Sequence, residues 1–419
     1  MMERYREYKE SGVKWLGEIP SHWEVKRLGS FFSERKEKVS DQDYAPLSVT
    51  KQGIFPQLEN VAKTNDGDNR KLVKEGDFVI NSRSDRKGSS GVSELDGSVS
   101  LINLVLQPRK TIFGPFCNYL LKSYGFIEEN YRNGRGIVAD LWTTRYNEMK
   151  MIKVAMPSLE EQKTISSYLD SATSEIDKAI AMQQKMIDLL NERKQIIIQN
   201  AVTKGLDENV EMKESGVEWI GRIPKHWEVV PLKYTGAFGN GLTYSPIEIV
   251  DDGVLVIRSS NIQNSKLVFD DNVFVEIIPQ NLMVKKGDII ICSRNGSADL
   301  VGKCAIVEEN INATFGAFMM RYTPNINPKY AFFLFQTAIR SYKGYFSTST
   351  INQLTKTIIG EMKVPVAGIS EQQQIAAYLD VEMQRFDSAI TNCQRQITLL
   401  QERKQIIINE VVTGKVRVS

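Results

Sequence analysis

Lys9-Glu10-Ser11-Gly12-Val13-Lys14-Trp15-Leu16-Gly17-Glu18-Ile19-Pro20-Ser21-His22-Trp23-Glu24-Val25 returns, nearly unchanged, as Lys213-Glu214-Ser215-Gly216-Val217-Glu218-Trp219-Ile220-Gly221-Arg222-Ile223-Pro224-Lys225-His226-Trp227-Glu228-Val229. The copies start 204 residues apart (213 − 9) in a chain of 419, so the chain is one unit written twice. A second repeat closes each half. Glu161-Gln162, Tyr168-Leu169-Asp170 and Leu189-Leu190-Asn191-Glu192-Arg193-Lys194-Gln195-Ile196-Ile197-Ile198 match Glu371-Gln372, Tyr378-Leu379-Asp380 and Leu399-Leu400-Gln401-Glu402-Arg403-Lys404-Gln405-Ile406-Ile407-Ile408. Here the offset is 210 (371 − 161), so the stretch between the repeats is six residues longer in the second half. The order is arm, variable block, long helix, and then the same again. A duplicated chain can fold about an internal two-fold axis, and such an axis suits a partner that is itself two-fold, such as duplex DNA.

The helices follow from composition and period. From about Glu160 to Val202 there is neither Pro nor Gly, and strong helix formers dominate. Leu169, Ala172, Ile176, Ala179, Gln183, Met186, Leu190, Arg193 and Ile197 step by three and four, as do Leu379, Glu382, Phe386, Ala389, Cys393, Gln396, Leu400, Arg403 and Ile407. Each set is a narrow seam, widened by Ile180, Ile187, Ile390 and Ile397, and the economical arrangement packs the two seams together in antiparallel fashion. Ser158 and Ser370 stand ahead of the runs as expected N-caps, and Gly205 and Gly414 are placed to close them.

Composition narrows the class. Hydrophobic residues make up 42%, enough for real cores, and 53 basic against 51 acidic residues leave a net charge of +2, so positive charge toward an anionic partner must be local. Four cysteines without paired spacing (Cys117, Cys292, Cys304, Cys393) fit a reducing cytoplasm and argue against a zinc or disulfide frame. The polar start Met-Met-Glu-Arg-Tyr-Arg lacks a signal core, and no run of about 18 apolar residues occurs. A cytoplasmic location is expected.

Catalytic motifs are missing. There is no phosphate loop and no dinucleotide fingerprint, and Gly239-Asn240-Gly241 and Gly134-Arg135-Gly136 lack the third glycine. Asn327-Pro328-Lys329-Tyr330, the nearest string to an adenine-methyltransferase loop, carries Lys at the second proline and reads as a turn. Glu148-Met149-Lys150 and Glu361-Met362-Lys363 resemble half of a nuclease motif, but no Pro-Asp occurs, and exposed charges near a strand explain them better. His22 and His226, the only histidines, are equivalent by the repeat. Each sits in Ile-Pro-x-His-Trp, where a structural hydrogen bond near a domain junction outweighs catalysis or metal binding. No catalytic, cofactor or metal residue is expected.

Binding remains. The blocks from about Leu28 to Met156 and Leu232 to Val364 read as mixed α and β. Lys74-Glu75-Gly76-Asp77-Phe78-Val79-Ile80-Asn81-Ser82-Arg83 resembles Lys285-Lys286-Gly287-Asp288-Ile289-Ile290-Ile291-Cys292-Ser293-Arg294, a Gly-Asp turn, a strand and a polar Ser-Arg end. The expected DNA-contacting residues are Ser82, Arg83, Arg86, Lys87, Arg132, Arg135, Thr143, Thr144 and Arg145 in the first block. In the second they are Arg258, Ser260, Asn261, Ser293, Arg294, Asn295, Ser349, Asn352, Gln353 and Lys356. Arg can take guanine by two hydrogen bonds, Asn and Gln can take adenine, and Ser, Thr and Lys suit phosphates. Ordinary solvated loops are the competing explanation for any single residue.

The two arms and the Glu-Gln…Tyr-Leu-Asp…Glu-Arg-Lys-Gln-Ile-Ile-Ile helices resemble those of the specificity subunit of type I restriction-modification enzymes. The resemblance implies an α+β fold, with two mixed α/β target-recognition domains joined by two long antiparallel helices in a coiled coil and internal pseudo-two-fold symmetry. It implies a non-catalytic chain that reads an asymmetric bipartite DNA target, its helices serving as a ruler. Two modification (methyltransferase) subunits using S-adenosylmethionine are the implied partners, with two restriction (helicase-nuclease) subunits adding ATP- and Mg-dependent cleavage. No cofactor is expected on this chain. The expected divisions are 1–156 for the first arm and recognition domain, 157–205 for the first helix, 206–364 for the second arm and domain, and 365–419 for the second helix. A coiled-coil adaptor presenting two protein-binding domains is the alternative, and a self-sufficient methyltransferase or nuclease lacks its motifs.

Overall fold

The computed structural model describes residues 3–58, 67–136, 142–276, 278–346 and 353–418. The chain forms two compact units. The first contains Met1–Gln184 together with Gln394–Ser419, and the second is the unbroken stretch Lys185–Cys393. Two long helices, Leu159–Lys204 and Ile369–Val412, each contribute one half to each unit.

In the first unit the arm opens as a hairpin, Tyr8–Glu10 against Glu18–Pro20, and continues as Glu24–Arg27, which pairs with Lys153–Met156 just ahead of the first long helix. A four-stranded antiparallel sheet follows in the order Ser90–Val92, Phe78–Asn81, Asn103–Pro108, Phe32–Glu34. The second unit repeats this plan. Met212–Glu214 pairs with Arg222–Pro224, Glu228–Pro231 pairs with Lys363–Val366, and a sheet runs Cys304–Ile306, Ile289–Cys292, Met319–Pro324, Gly236–Asn240.

The paired motif strands explain why their sequence is apolar without alternation: both faces are covered. Phe78 and Ile80 enter one core, with Trp23, Phe116, Leu169 and Val411, whereas Val79 enters a smaller one with Leu47, Val73 and Val105. In the second unit Ile289 and Ile291 join Trp227, Phe335, Leu379 and Val202, and Ile290 and Cys292 join Leu255, Ala305 and Phe315. Each strand follows a Gly at positive φ, Gly76 (+86°) and Gly287 (+91°), where a side chain would be strained. The buried Asp77 carboxylate then takes Lys74 N (2.9 Å) and the fork of Arg35 (2.7 and 3.1 Å). Its counterpart Asp288 takes Lys285 N (2.8 Å) and Thr323 Oγ1 (2.6 Å).

Within each unit the two helix halves run antiparallel. Lys404 Nζ on the second helix reaches Asp177 on the first at 2.7 Å in the first unit, and Lys194 on the first helix reaches Asp387 on the second at 2.5 Å in the other. Ser158 Oγ accepts from Glu161 N (3.3 Å) as an N-cap, and Gly205 (φ +78°) and Gly414 (φ +73°) close the helices.

Three sequence expectations change. Met186, Arg193, Gln396 and Arg403 face outward, and their neighbours Ile187, Lys194, Ile397 and Lys404 take the inner positions. A 3.6-residue turn drifts by about 20° per heptad from a strict seven-residue pattern, so the seam slips by one residue midway. Ser370 lies inside its helix, which begins at Ile369. Asn327-Pro328-Lys329-Tyr330 starts a helix, Pro328–Phe346, instead of making a turn. Asn327 Oδ1 caps it by accepting from the N–H groups of Lys329 (3.1 Å) and Tyr330 (3.0 Å), with Pro at the first helical position.

Candidate nucleic-acid interface

Each unit has a frame that holds its loops and a rim that faces outward. The frame centres on the Glu-Gln pair in the first turn of each long helix. Glu161 accepts from Trp23 Nε1 (3.1 Å) and Tyr5 Oη (2.7 Å) and contacts His22 Nε2 (3.0 Å). Glu371 accepts from Trp227 Nε1 (3.2 Å) and contacts His226 Nε2 (2.9 Å). Gln162 bonds Phe113 N (2.8 Å) and Pro157 O (3.1 Å), and Gln372 bonds Asn327 N (2.9 Å) and Ala367 O (2.8 Å). One dipeptide therefore fastens arm, strand and variable block to the helix. The two half-exposed histidines are part of that fastening, as a structural role requires. Among the described residues no group of His, Cys, Asp and Glu is placed to hold a metal ion.

The rim begins where the motif strands end. In the first unit Thr144 N donates to Ser82 O (3.0 Å), and Arg83 pairs with Thr143 as an antiparallel bridge. Thr143 pairs in turn with Arg135 through Arg135 N to Thr143 O (2.9 Å) and Thr143 N to Arg135 O (3.0 Å). In the second unit Leu354 N donates to Ser293 O (2.7 Å), and Arg294 pairs with Gln353 as an antiparallel bridge. The two ladders occupy the same place in their units. Paired residues in an antiparallel bridge project to the same face, so Arg83, Thr143 and Arg135 share one face, as do Arg294 and Gln353.

The other expected contacts divide into two groups. Arg86 and Lys87 follow Arg83 in a short turn, where Lys87 Nζ meets Glu128 (2.7 Å) and lies 4.5 Å from the Tyr131 ring centroid. Arg132 ends its helix beside Glu129 (2.8 Å) and Arg135 is 83% exposed, 3.5 Å from Glu148. Arg145, Ser260 and Lys356 are exposed, and Asn295 Nδ2 donates to Ser259 Oγ (3.2 Å). Thr144, Asn261 and Ser293 are corrected to internal roles because they are buried. Thr144 Oγ1 donates to Asn130 O (2.8 Å), Ser293 Oγ to Phe318 O (3.0 Å) and Asn261 Nδ2 to Val268 O (3.1 Å), while Asn261 Oδ1 accepts from Arg258 N (3.0 Å). Arg258 is drawn back onto Asp271 (2.8 Å). Ser349 and Asn352 lie outside the described residues. Glu148, expected to be an exposed charge, is mostly buried, whereas Glu361 is exposed and pairs with Lys233 (2.6 Å).

Phe318 was not anticipated. It is 61% exposed and its ring centroid lies 5.6 Å from the Arg294 guanidinium carbon. In sequence it sits in the apolar run Ala317-Phe318-Met319-Met320, which gives no sign that this ring points outward.

Comparison with known proteins falls on the same class. Residues 224–401 match the type I restriction modification DNA specificity domain. The type I restriction enzyme MjaVIII specificity subunit of Methanocaldococcus jannaschii is 25% identical over 98% of this chain and 97% of its own. A chain from a study of the structural basis of complex assembly and conformational transition of the type I R-M system has the same fold. It superposes with a TM-score of 0.71 at 15% identity, covering 94% of this chain and 98% of that one. The HsdS subunit of Thermoanaerobacter tengcongensis has a TM-score of 0.51 at 16% identity, covering 97% and 99%. The fold is two mixed α and β units that share two long helices. The arms, the helices and these likenesses together make the chain similar, along its whole length, to the specificity subunits of type I restriction-modification enzymes.

Among the described residues no helix is long and apolar enough to cross a membrane.

Proposed function

We propose that this chain reads an asymmetric, bipartite duplex through two unlike reading clusters, one on each unit, and that catalysis belongs to subunits it recruits. The repeated ladder is the observation that supports this reading. Arg83 and Arg294 stand at matching positions with the fork that suits guanine, and their neighbours differ, so the half-sites differ. Ser82, Arg86, Lys87, Arg132, Arg135, Thr143 and Arg145 supply further base or phosphate contacts in the first unit. Ser260, Asn295, Gln353 and Lys356 do so in the second. A net charge of +2 gives weak binding by the chain alone, so partners help to enclose the double-stranded DNA.

In functional terms, residues 1–156 and 206–364 are the arms and recognition domains, and 157–205 and 365–419 are the ruler helices. The first helix has 46 residues, about 69 Å of rod. Leu189 and Ile196 on one helix, and Leu399 and Ile406 on the other, repeat an apolar stripe seven residues apart and remain half exposed. We assign the stripes to two modification subunits, which methylate adenine with S-adenosylmethionine, and place the restriction (helicase-nuclease) subunits outside them. The full-length likeness to a specificity subunit supports this assignment.

The test is co-expression with an adenine-methylating modification subunit, followed by genome-wide mapping of methylated adenines. Methylation should fall in one motif of two unlike half-sites at a fixed spacing. One heptad inserted in both helices should lengthen that spacing and leave the bases unchanged. The absence of any sequence preference would favour the coiled-coil adaptor.

A further inference from the structure

The two ladders share an arginine and differ in the residue opposite it. Thr143 faces Arg83, and Gln353 faces Arg294. They also differ in the residue that anchors the loop beneath. Ser82 N donates to Ile102 O (3.2 Å) where Ser293 N donates to Phe318 O (3.0 Å), so an aliphatic side chain in one unit corresponds to an exposed aromatic ring in the other.

Resting on the DNA-reading function above, we propose that Gln353 is the specificity-determining residue of the second unit, reading an adenine next to the guanine taken by Arg294. A carboxamide carries a donor and an acceptor side by side, which matches the N6 amino group and N7 of adenine, whereas the single hydroxyl of Thr143 cannot make that pair. Directly opposed residues in an antiparallel bridge have Cβ atoms about 4.5–5.5 Å apart. Stacked bases rise by about 3.4 Å, so the two side chains span neighbouring base pairs. Gln353 is exposed, on the same face as the guanidinium that Phe318 flanks. In the first unit Thr143 instead stands between Arg83 and Arg135, so that face presents two arginines, and its half-site is richer in guanine.

Methylation mapping of the reconstituted complex tests this, with the first half-site as an internal control for folding and assembly. Gln353→Ala should reduce the preference at one adenine position of one half-site by about tenfold or more, while the other half-site keeps its motif. Gln353→Asn, which keeps a carboxamide, should restore part of that preference, and Gln353→Glu should shift it toward cytosine, whose amino group donates. An unaltered motif in Gln353→Ala, or a uniform loss at every position of the half-site, would overturn the assignment. The second result would make Gln353 a phosphate contact. A wild-type complex that methylates without a bipartite motif would instead overturn the underlying function.

Discussion

The junction at the start of each long helix and the ladder at the end of each motif strand are both repeated, but in different ways. At the junction the residues themselves recur: Glu161 with Trp23 and His22, Glu371 with Trp227 and His226. At the ladder the geometry recurs while the residues change, Thr143 becoming Gln353 and Thr144 becoming Leu354. The difference lies in which atoms carry the bonds. The junction is made by side chains meeting side chains, so each partner's identity is required. The ladder is held by main-chain N–H and C=O groups, which every non-proline residue supplies. A fold that must present changing chemistry on a constant frame gains from this division.

The two units differ most in side-chain bonding at the Gly-Asp turn, where Asp77 holds an arginine fork and Asp288 a threonine hydroxyl. Arg35→Ala leaves the buried Asp77 carboxylate without its bidentate partner and should cost about 3–5 kcal/mol. Thr323→Ala, which takes a neutral donor from Asp288, should cost about 1–2 kcal/mol. Denaturant unfolding of the two variants should show this order, and equal losses would mean that the units do not differ here. At the junction, Glu161→Ala and Glu371→Ala each strand a buried indole N–H and should cost about 1–3 kcal/mol. The first should be the larger because Glu161 also holds Tyr5.

Arg83→Ala and Arg294→Ala should leave unfolding midpoints unchanged. Each should remove about 1–3 kcal/mol of discrimination in a different half-site, read by methylation mapping. Equal losses on random DNA would reassign them to phosphate. The smallest effect belongs to the helix-crossing pairs: Lys404→Ala should cost less than about 1 kcal/mol. Asp387 behaves differently with pH. Burial works to raise its carboxyl pKa, but Lys194 and Lys266 outweigh it and hold the group below the ordinary value. A depressed carboxylate stabilises the fold fully above its unfolded value near 4 and loses that contribution as pH falls toward the lower folded value. Acid titration of Asp387→Asn should therefore show a shallower loss of stability below pH 4 than the parent chain.

The frame was legible in the sequence because it is written in side chains. The duplicated arm, the Pro-free helices, the closing Gly205 and Gly414 and the Gly-Asp strand could all be read directly. The pairing of Arg83 with Arg294 as equivalent strand ends was visible for the same reason. What stayed hidden depends on main-chain pairing or on helix drift. Nothing local says that Arg135 and Thr143 would form one ladder, that Asn261 and Ser293 would turn inward, or that Phe318 would turn out. The slip from Met186 to Ile187 arises from accumulated rotation along the rod and cannot be seen in any single heptad.

The first unit closes its core with Ile407, Ile408, Val411 and Val412, and Lys415 Nζ then clasps Leu16 O (2.7 Å) and Glu18 O (2.6 Å) while Arg417 bridges to Glu3. The second unit needs nothing beyond Cys393. During synthesis, therefore, the later-translated unit has all its parts first, and the core that holds Trp23 and Phe116 receives its last side chains only with the final turns of the second helix. Order of birth and order of completion are reversed.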